Sequence, residues 1–207
     1  MAGKFIVLYG TNNLGKSVQV KRLAKRIAEF RTAIGTEYRA PQFVKYPLYD
    51  LKPSGPMINA YLRKGNPQGL APREIQILYA LNRVHFEPTL KDMLGIGTRY
   101  PSDVIAEDYR GTGIAWGMGF GVSKGFLVEL NRHLFPEDIA ILLDGVRFEA
   151  GIEKDHVHEN SDVIMRRVRE IHRELASDYG WKVVDANRTE EEVHEKIWDL
   201  VRPILLN

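Results

Sequence analysis

The 207-residue chain is long enough for one domain with a small insert, and its 44% hydrophobic content is ample for a buried core. Its 29 basic and 27 acidic residues leave a net charge of +2, which gives no electrostatic case for a nucleic-acid or membrane partner. No stretch approaches the roughly 20 apolar residues of a membrane span, and the absence of cysteine excludes disulfides, thiolate metal sites and cysteine nucleophiles.

The first apolar run, Phe5–Tyr9, reads as a strand. It begins almost at the first residue, which argues against a signal peptide and fits a cytoplasmic protein. Gly10–Ser17 follows as Gly-Thr-Asn-Asn-Leu-Gly-Lys-Ser, an unbroken G-x-x-x-x-G-K-[ST] phosphate-binding loop. Its glycines let the backbone turn tightly so that N–H groups face phosphate oxygens. The helix that starts near Lys16 adds its positive N-terminal dipole. Gly10, Thr11, Asn12, Asn13, Leu14, Gly15, Lys16, Ser17 and Val18 are the expected ATP-binding segment. Lys16 reaches the β- and γ-phosphates in this reading, and Ser17 ligates Mg²⁺.

A helix is expected from about Ser17 to Phe30, with Val20, Leu23, Ala24 and Ile27 on one face. Gln42–Lys45 reads as the second strand. A short helix follows near Gly55–Arg63, and Pro72 opens another at its first position, with Ile75, Leu78 and Leu81 apolar. Val104–Glu107 is the third strand. One further helix is expected within Gly113–Leu134, then a fourth strand, Ile139–Asp144. The polar run Gly151–Asn160 reads as a surface loop or lid. Asp162–Tyr179 carries a helical pattern through Val163, Val168, Ile171 and Leu175, and Gly180 supplies its stop. Trp181–Asp185 is the fifth strand. The last helix opens at Thr189 and Glu192, which stand at capping-box spacing.

Strands alternating with helices predict an α/β chain: a three-layer P-loop NTPase fold, with a five-stranded parallel sheet flanked by helices and a small lid over about 147–160. The near-continuous apolar character of the strands suits burial on both faces. In such sheets ligands bind at the carboxyl ends of the strands. Attention therefore falls on Gly10–Ser17, Tyr46–Asp50, Glu107–Gly113 and Asp144–Glu159. Tyr79 and Arg83 are four apart on one helix face, where a ring and a guanidinium can stack on a base and bond its exocyclic oxygen. Glu107, at a strand end, can hold a metal-bound water.

These segments together resemble thymidylate kinase across almost the whole chain. The resemblance rests on Phe5-Ile6-Val7-Leu8 leading into the phosphate loop and on Tyr46-Pro47 after the second strand. It continues through Leu78-Tyr79-Ala80-Leu81-Asn82-Arg83, Glu107-Asp108-Tyr109, Thr112-Gly113-Ile114-Ala115-Trp116 and Asp185-Ala186-Asn187-Arg188-Thr189. It implies transfer of a phosphoryl group from ATP to dTMP with Mg²⁺, in a protein that is usually a homodimer. It also implies thymine recognition by Tyr79 and Arg83, with Tyr46 and Pro47 lining the same pocket. Tyr109 then lies beneath the deoxyribose, and Thr112 and Gly113 allow close approach to the base. Arg188 either covers the adenine of the donor or simply caps its loop.

The sequence also departs from the family. Asp108 stands where an arginine is usual, Asn12 replaces an acid, and the arginine that normally follows the Tyr46-Pro47 pair is missing. The lid region offers only Arg147, Lys154, His156 and His158. A cation must still neutralise the acceptor phosphate, and Arg110 is the first candidate, ahead of Lys45 and Lys52. Catalysis is thus assigned to Lys16, Glu107 and Arg110. Two rival readings stay open: a nucleoside kinase using Glu107 or Asp108 as base, and a catalytically weak nucleotide-binding regulator.

Overall fold

The computed structural model describes residues 2–97, 100–146 and 162–206. The expected lid, with Arg147, Lys154, His156 and His158, lies outside the described residues. The elements follow one another as β1 (Phe5–Tyr9), α1 (Lys16–Ala33), β2 (Arg39–Lys45), α2 (Ser54–Arg63), α3 (Pro72–Met93) and β3 (Ser102–Glu107). Then come α4 (Arg110–Gly119), α5 (Lys124–Asn131), β4 (Ile139–Asp144), α6 (Asp162–Tyr179), β5 (Lys182–Asp185) and α7 (Glu190–Leu205).

The five strands form one sheet in the order β2-β3-β1-β4-β5, with every pairing parallel. Alternation along the central strands feeds two cores. Ile6, Leu8, Ile105, Ile141 and Leu143 pack against Val20, Leu23 and Ile27 of α1 and Val193, Ile197 and Val201 of α7. Phe5, Val7, Val104 and Ala106 face the other way, toward Leu90 of α3. The apolar runs of β1, β3 and β4 are thus covered on both faces. The edge strands are not: Phe43 of β2 and Val183 of β5 are about half exposed, because an edge strand has less helix to cover it.

One expected helix proves to be two. Gly121, at φ 84°, ends α4's run, and Ser123 restarts the chain as the N-cap of α5, accepting from the Phe126 N–H at 3.4 Å. Leu81 and Val163, which belong to the apolar patterns of their helices, are exposed. At α7 the capping box forms as its spacing predicts, with Thr189 Oγ1 accepting from Glu192 N at 3.3 Å and Glu192 Oε2 accepting from Thr189 N at 2.9 Å. At the amino ends of the strands, Asp103 receives Arg31 Nε at 2.8 Å and Nη2 at 2.9 Å, so both buried charges are paired.

His172 of α6 is wholly buried. Its Nδ1 faces the Val168 carbonyl at 3.0 Å, and its Nε2 has no partner among the described residues. Burial holds its pKa down at about 4, against an ordinary 6.5. The unfolded chain therefore takes up a proton near pH 6.5 that the folded chain refuses until about pH 4. The stabilisation is complete above pH 6.5 and is lost as the pH falls through that window, by on the order of 3 kcal/mol. Urea unfolding followed from pH 7 to pH 4 should show this decline, and His172→Leu should flatten most of it.

Candidate active site

Parallel pairing brings the carboxyl ends of β1, β2, β3 and β4 to one edge of the sheet. From β1 the chain enters the phosphate loop. Gly10 (φ 141°), Asn13 (φ 61°) and Gly15 (φ 76°) adopt the positive φ angles that let it wrap on itself. A Cβ on Gly10 would lie 2.6 Å from the Leu143 carbonyl oxygen of β4, so the close approach of loop to strand requires glycine. The loop ends at the N-terminus of α1, whose first turn carries no acid that would compete for an anion.

Lys16 is buried, and its Nζ donates to the carbonyls of Gly10 and Thr11, each at 2.9 Å. It also lies 3.8 Å from Asp108 Oδ1. Its charge thus sits inside the loop at the rim of the strand ends. Asn12 and Asn13 are half-buried, Leu14 is buried as an anchor of the loop, and Val18 is exposed on α1.

Glu107 ends β3 and is buried. Ser17 Oγ donates to its Oε2 at 2.6 Å, and Lys45 Nζ lies 2.9 Å from its Oε1. Lys45 and Glu107 are register partners across β2 and β3, which fixes their meeting. Burial pushes the Glu107 carboxyl up, but Lys16, the Ser17 hydroxyl and Lys45 outweigh it and hold the group below its usual range. Asp108 behaves oppositely. It is enclosed, at φ 64°, and accepts from Thr112 Oγ1 at 2.8 Å. Burial raises its carboxyl, with Lys16 opposing and Glu107 adding to the rise.

The second constellation surrounds Arg83. Tyr46, Tyr79, Tyr109 and Arg83 are all buried, and Arg83 Nη1 donates to Asn131 Oδ1 at 3.1 Å. Burial lowers the affinity of this guanidinium for its proton, and Tyr109, Tyr9, Tyr46 and Tyr79 stand around it. The Tyr46 and Tyr109 rings lie 5.1 Å apart, and Tyr109 donates to the Phe135 carbonyl at 3.1 Å. Tyr109 is thus an enclosed ring held in place from both sides. Arg83 Nε and the Tyr46 hydroxyl have no partner among the described residues. Gly113 does allow a close approach, but it is Arg83 that makes it: a Cβ there would lie 2.6 Å from Nη2. Pro47 is half-buried beside Tyr46. Asn82, next to Arg83 on α3, clamps the turn after β2, accepting from Leu48 N at 2.9 Å and donating to Leu48 O at 3.0 Å.

Two further arginines are paired with acids outside these groups. Arg110 Nε lies 2.9 Å from Glu137 Oε2, and Glu137 also receives the Tyr9 hydroxyl at 3.2 Å. Lys45, not Arg110, touches Glu107. Arg188 is exposed on the loop before α7 and donates to Asp185 Oδ2 at 3.0 Å. The first residue of α7 is joined to α1 by Gln19, which donates to the Glu190 carbonyl at 2.9 Å. Asn131, Asn82 and the Lys45–Glu107 pair were not legible from spacing. Each joins elements far apart in sequence, and only Asn82 carried a signal, its place beside Arg83.

Ser17 Oγ and Glu107 Oε2 are hard oxygen donors that already meet beside the phosphate loop, which suits Mg²⁺ with phosphates and water completing its shell. Among the described residues no group of three or more His, Asp or Glu side chains gathers to hold a metal by protein ligands alone.

The thymidylate kinase family model matches residues 8–197. The zebrafish (Danio rerio) thymidylate kinase is 29% identical over 209 residues, covering 98% of this chain and 92% of that protein. The thymidylate kinase of Halothermothrix orenii is 27% identical and is matched along its whole length and that of this chain. Among solved structures, the thymidylate kinase of Candida albicans superimposes with a TM-score of 0.81 at 19% identity, covering 98% of this chain and 92% of that one. The Ehrlichia chaffeensis enzyme superimposes with a TM-score of 0.70. These likenesses fix the fold as that of the P-loop NTPases, and the family match runs through the phosphate loop, β3 and the Arg83 helix alike: the chain belongs to the thymidylate kinase family.

Proposed function

We propose that this chain transfers the γ-phosphoryl group of ATP to dTMP, giving ADP and dTDP, with Mg²⁺ as cofactor. The observation that carries the acceptor assignment is Arg83: a buried guanidinium ringed by tyrosines, with Nε unpartnered, in a group that begins one residue from the Lys45–Glu107 contact. An unpaired buried donor is costly unless a ligand completes it. The O4 of thymine is an acceptor that Arg83 can serve, and the rings of Tyr46 and Tyr79 suit a base. The family match and the likeness to other thymidylate kinases support the same reading.

In this reading Lys16 and the N–H groups of Gly10–Ser17 hold the donor phosphates, and Ser17 and Glu107 hold the metal. Mg²⁺, when bound, neutralises charge on the transferred group. The acceptor phosphate is largely dianionic near pH 7, since its second pKa is about 6. One of its oxygens can therefore bond to the γ-phosphorus without a general base, while the bond to the β,γ-bridging oxygen breaks and ADP leaves. The protein's part is to align the two nucleotides and supply positive charge. Arg188 covers the donor base from the α7 loop in the same reading. In this reading the chain is one kinase domain acting in the cytoplasm. Among the described residues no helix is long and apolar enough to cross a membrane.

The homodimer belongs to this proposal as well. Ile77, Leu81 and Val84 are exposed at helical spacing along α3, an apolar stripe suited to a second copy. Leu81→Glu should convert a dimer to a monomer in sedimentation equilibrium, and an unchanged mass would remove α3 from the interface.

A nucleotide-acceptor screen with ATP and Mg²⁺, read as ADP formation, tests the reaction, and dTMP should lead it. Lys16→Ala should abolish that turnover with an unchanged far-ultraviolet circular dichroism spectrum. Arg83→Ala should lose most of the preference for dTMP over dCMP, because one buried bond of this kind is worth about 1–3 kcal/mol. An unchanged dTMP/dCMP ratio would show that Arg83 does not read the base.

A further inference from the structure

A nucleoside monophosphate brings two negative charges to a site where the described carboxylates are already close together. Glu107 and Asp108 are consecutive, and both are buried or enclosed. Some cation must hold the incoming phosphate, and the structure narrows the choice. Lys16 is buried at 4% exposure and committed to two loop carbonyls on the donor side. Arg110 has its Nε against Glu137, a carboxylate that also receives the Tyr9 hydroxyl and belongs to the packing beneath the site. Lys45 differs from both. Its side chain is 55% exposed, and the one ion pair it makes among the described residues is with Glu107 Oε1, at 2.9 Å.

Its position is also the right one. Lys45 is the last residue of β2, in register with Glu107, and Tyr46 after it enters the aromatic group around Arg83. On its other side Glu107 is held by Ser17 of the phosphate loop. An acceptor whose base lies at Arg83 and whose phosphate points to the donor must carry that phosphate past Lys45. A lysine is a point charge on a flexible stem, so it can leave one anion for another without a fixed geometry. When Lys45 leaves, Glu107 keeps the Ser17 hydroxyl as a donor and the Lys16 charge nearby.

We infer that Lys45 is the acceptor-phosphate cation, parked on Glu107 in the unliganded chain and transferred to the phosphate of the bound nucleoside monophosphate. This rests on the acceptor reading given above. A residue that merely positions Glu107 would affect metal and donor, not the phosphate of the acceptor.

The test is binding, measured calorimetrically on the whole chain without a donor. The two ligands are dTMP and thymidine, which share a base and differ by the phosphate. Lys45→Met should weaken dTMP binding about tenfold or more and leave thymidine unchanged, since a charge-assisted contact is lost only from the first. Lys45→Arg should restore the dTMP preference. If Lys45→Met leaves the ratio of dTMP to thymidine affinity unchanged, or weakens both ligands equally, the inference is overturned. If the wild-type chain binds dCMP and cytidine but neither thymine ligand, the thymine reading fails. The same phosphate-against-no-phosphate comparison then judges Lys45 with that pair. If it binds no nucleoside monophosphate more tightly than the matching nucleoside, the inference falls with the acceptor reading.

Discussion

Parallel strands cannot be joined by hairpins, so each connection must cross back over the sheet, here by helices. That constraint governs the rest of this molecule. It sends the carboxyl ends of β1 to β4 to one edge, where each delivers a different part: the phosphate loop, Lys45 and Tyr46, Glu107 and Asp108, and Asp144. It also dictates burial. β1, β3 and β4 lie within the sheet and are apolar along their middles, while β2 and β5 close its edges and stay partly open.

At the strand ends, electrostatics replaces packing as the organising force. Desolvation disfavours both Glu107 and Asp108 as anions, yet their outcomes differ. Glu107 has the Lys16 charge nearby and two donors on its own oxygens, the Ser17 hydroxyl and the Lys45 ammonium, and together these outweigh burial. Asp108 has a single hydroxyl from Thr112 and a lysine nearly 4 Å away, and these do not. Adjacent carboxylates with opposite shifts show that the environment, not the residue type, sets the charge.

Arg83 follows a different logic. Its charge is buried among aromatic rings with one amide partner, so the free chain keeps a strong donor poorly satisfied. Gly113 supplies the room and Asn131 the anchor. A buried donor left without a partner costs stability in the free chain.

By itself, the sequence determined the local features. The phosphate loop, the strand positions of β1 and β4, the Thr189–Glu192 cap and the facing of Tyr79 and Arg83 all rest on residue type at short spacing, and local sterics and hydrogen bonding specify these directly. The family resemblance was legible for the same reason, since its motifs are short runs. Only the tertiary structure decided which cation meets which carboxylate. Arg110 lies three residues from Glu107 but pairs with Glu137, and Lys45, 62 residues away from Glu107, is its partner through strand register. It also decided that Leu81 faces outward, that one helical pattern breaks into α4 and α5, and that the space beside Gly113 belongs to Arg83. Periodicity reports which residues share a face. It carries no information about what the neighbouring element presents to that face, because that depends on register and crossing between segments far apart in the chain.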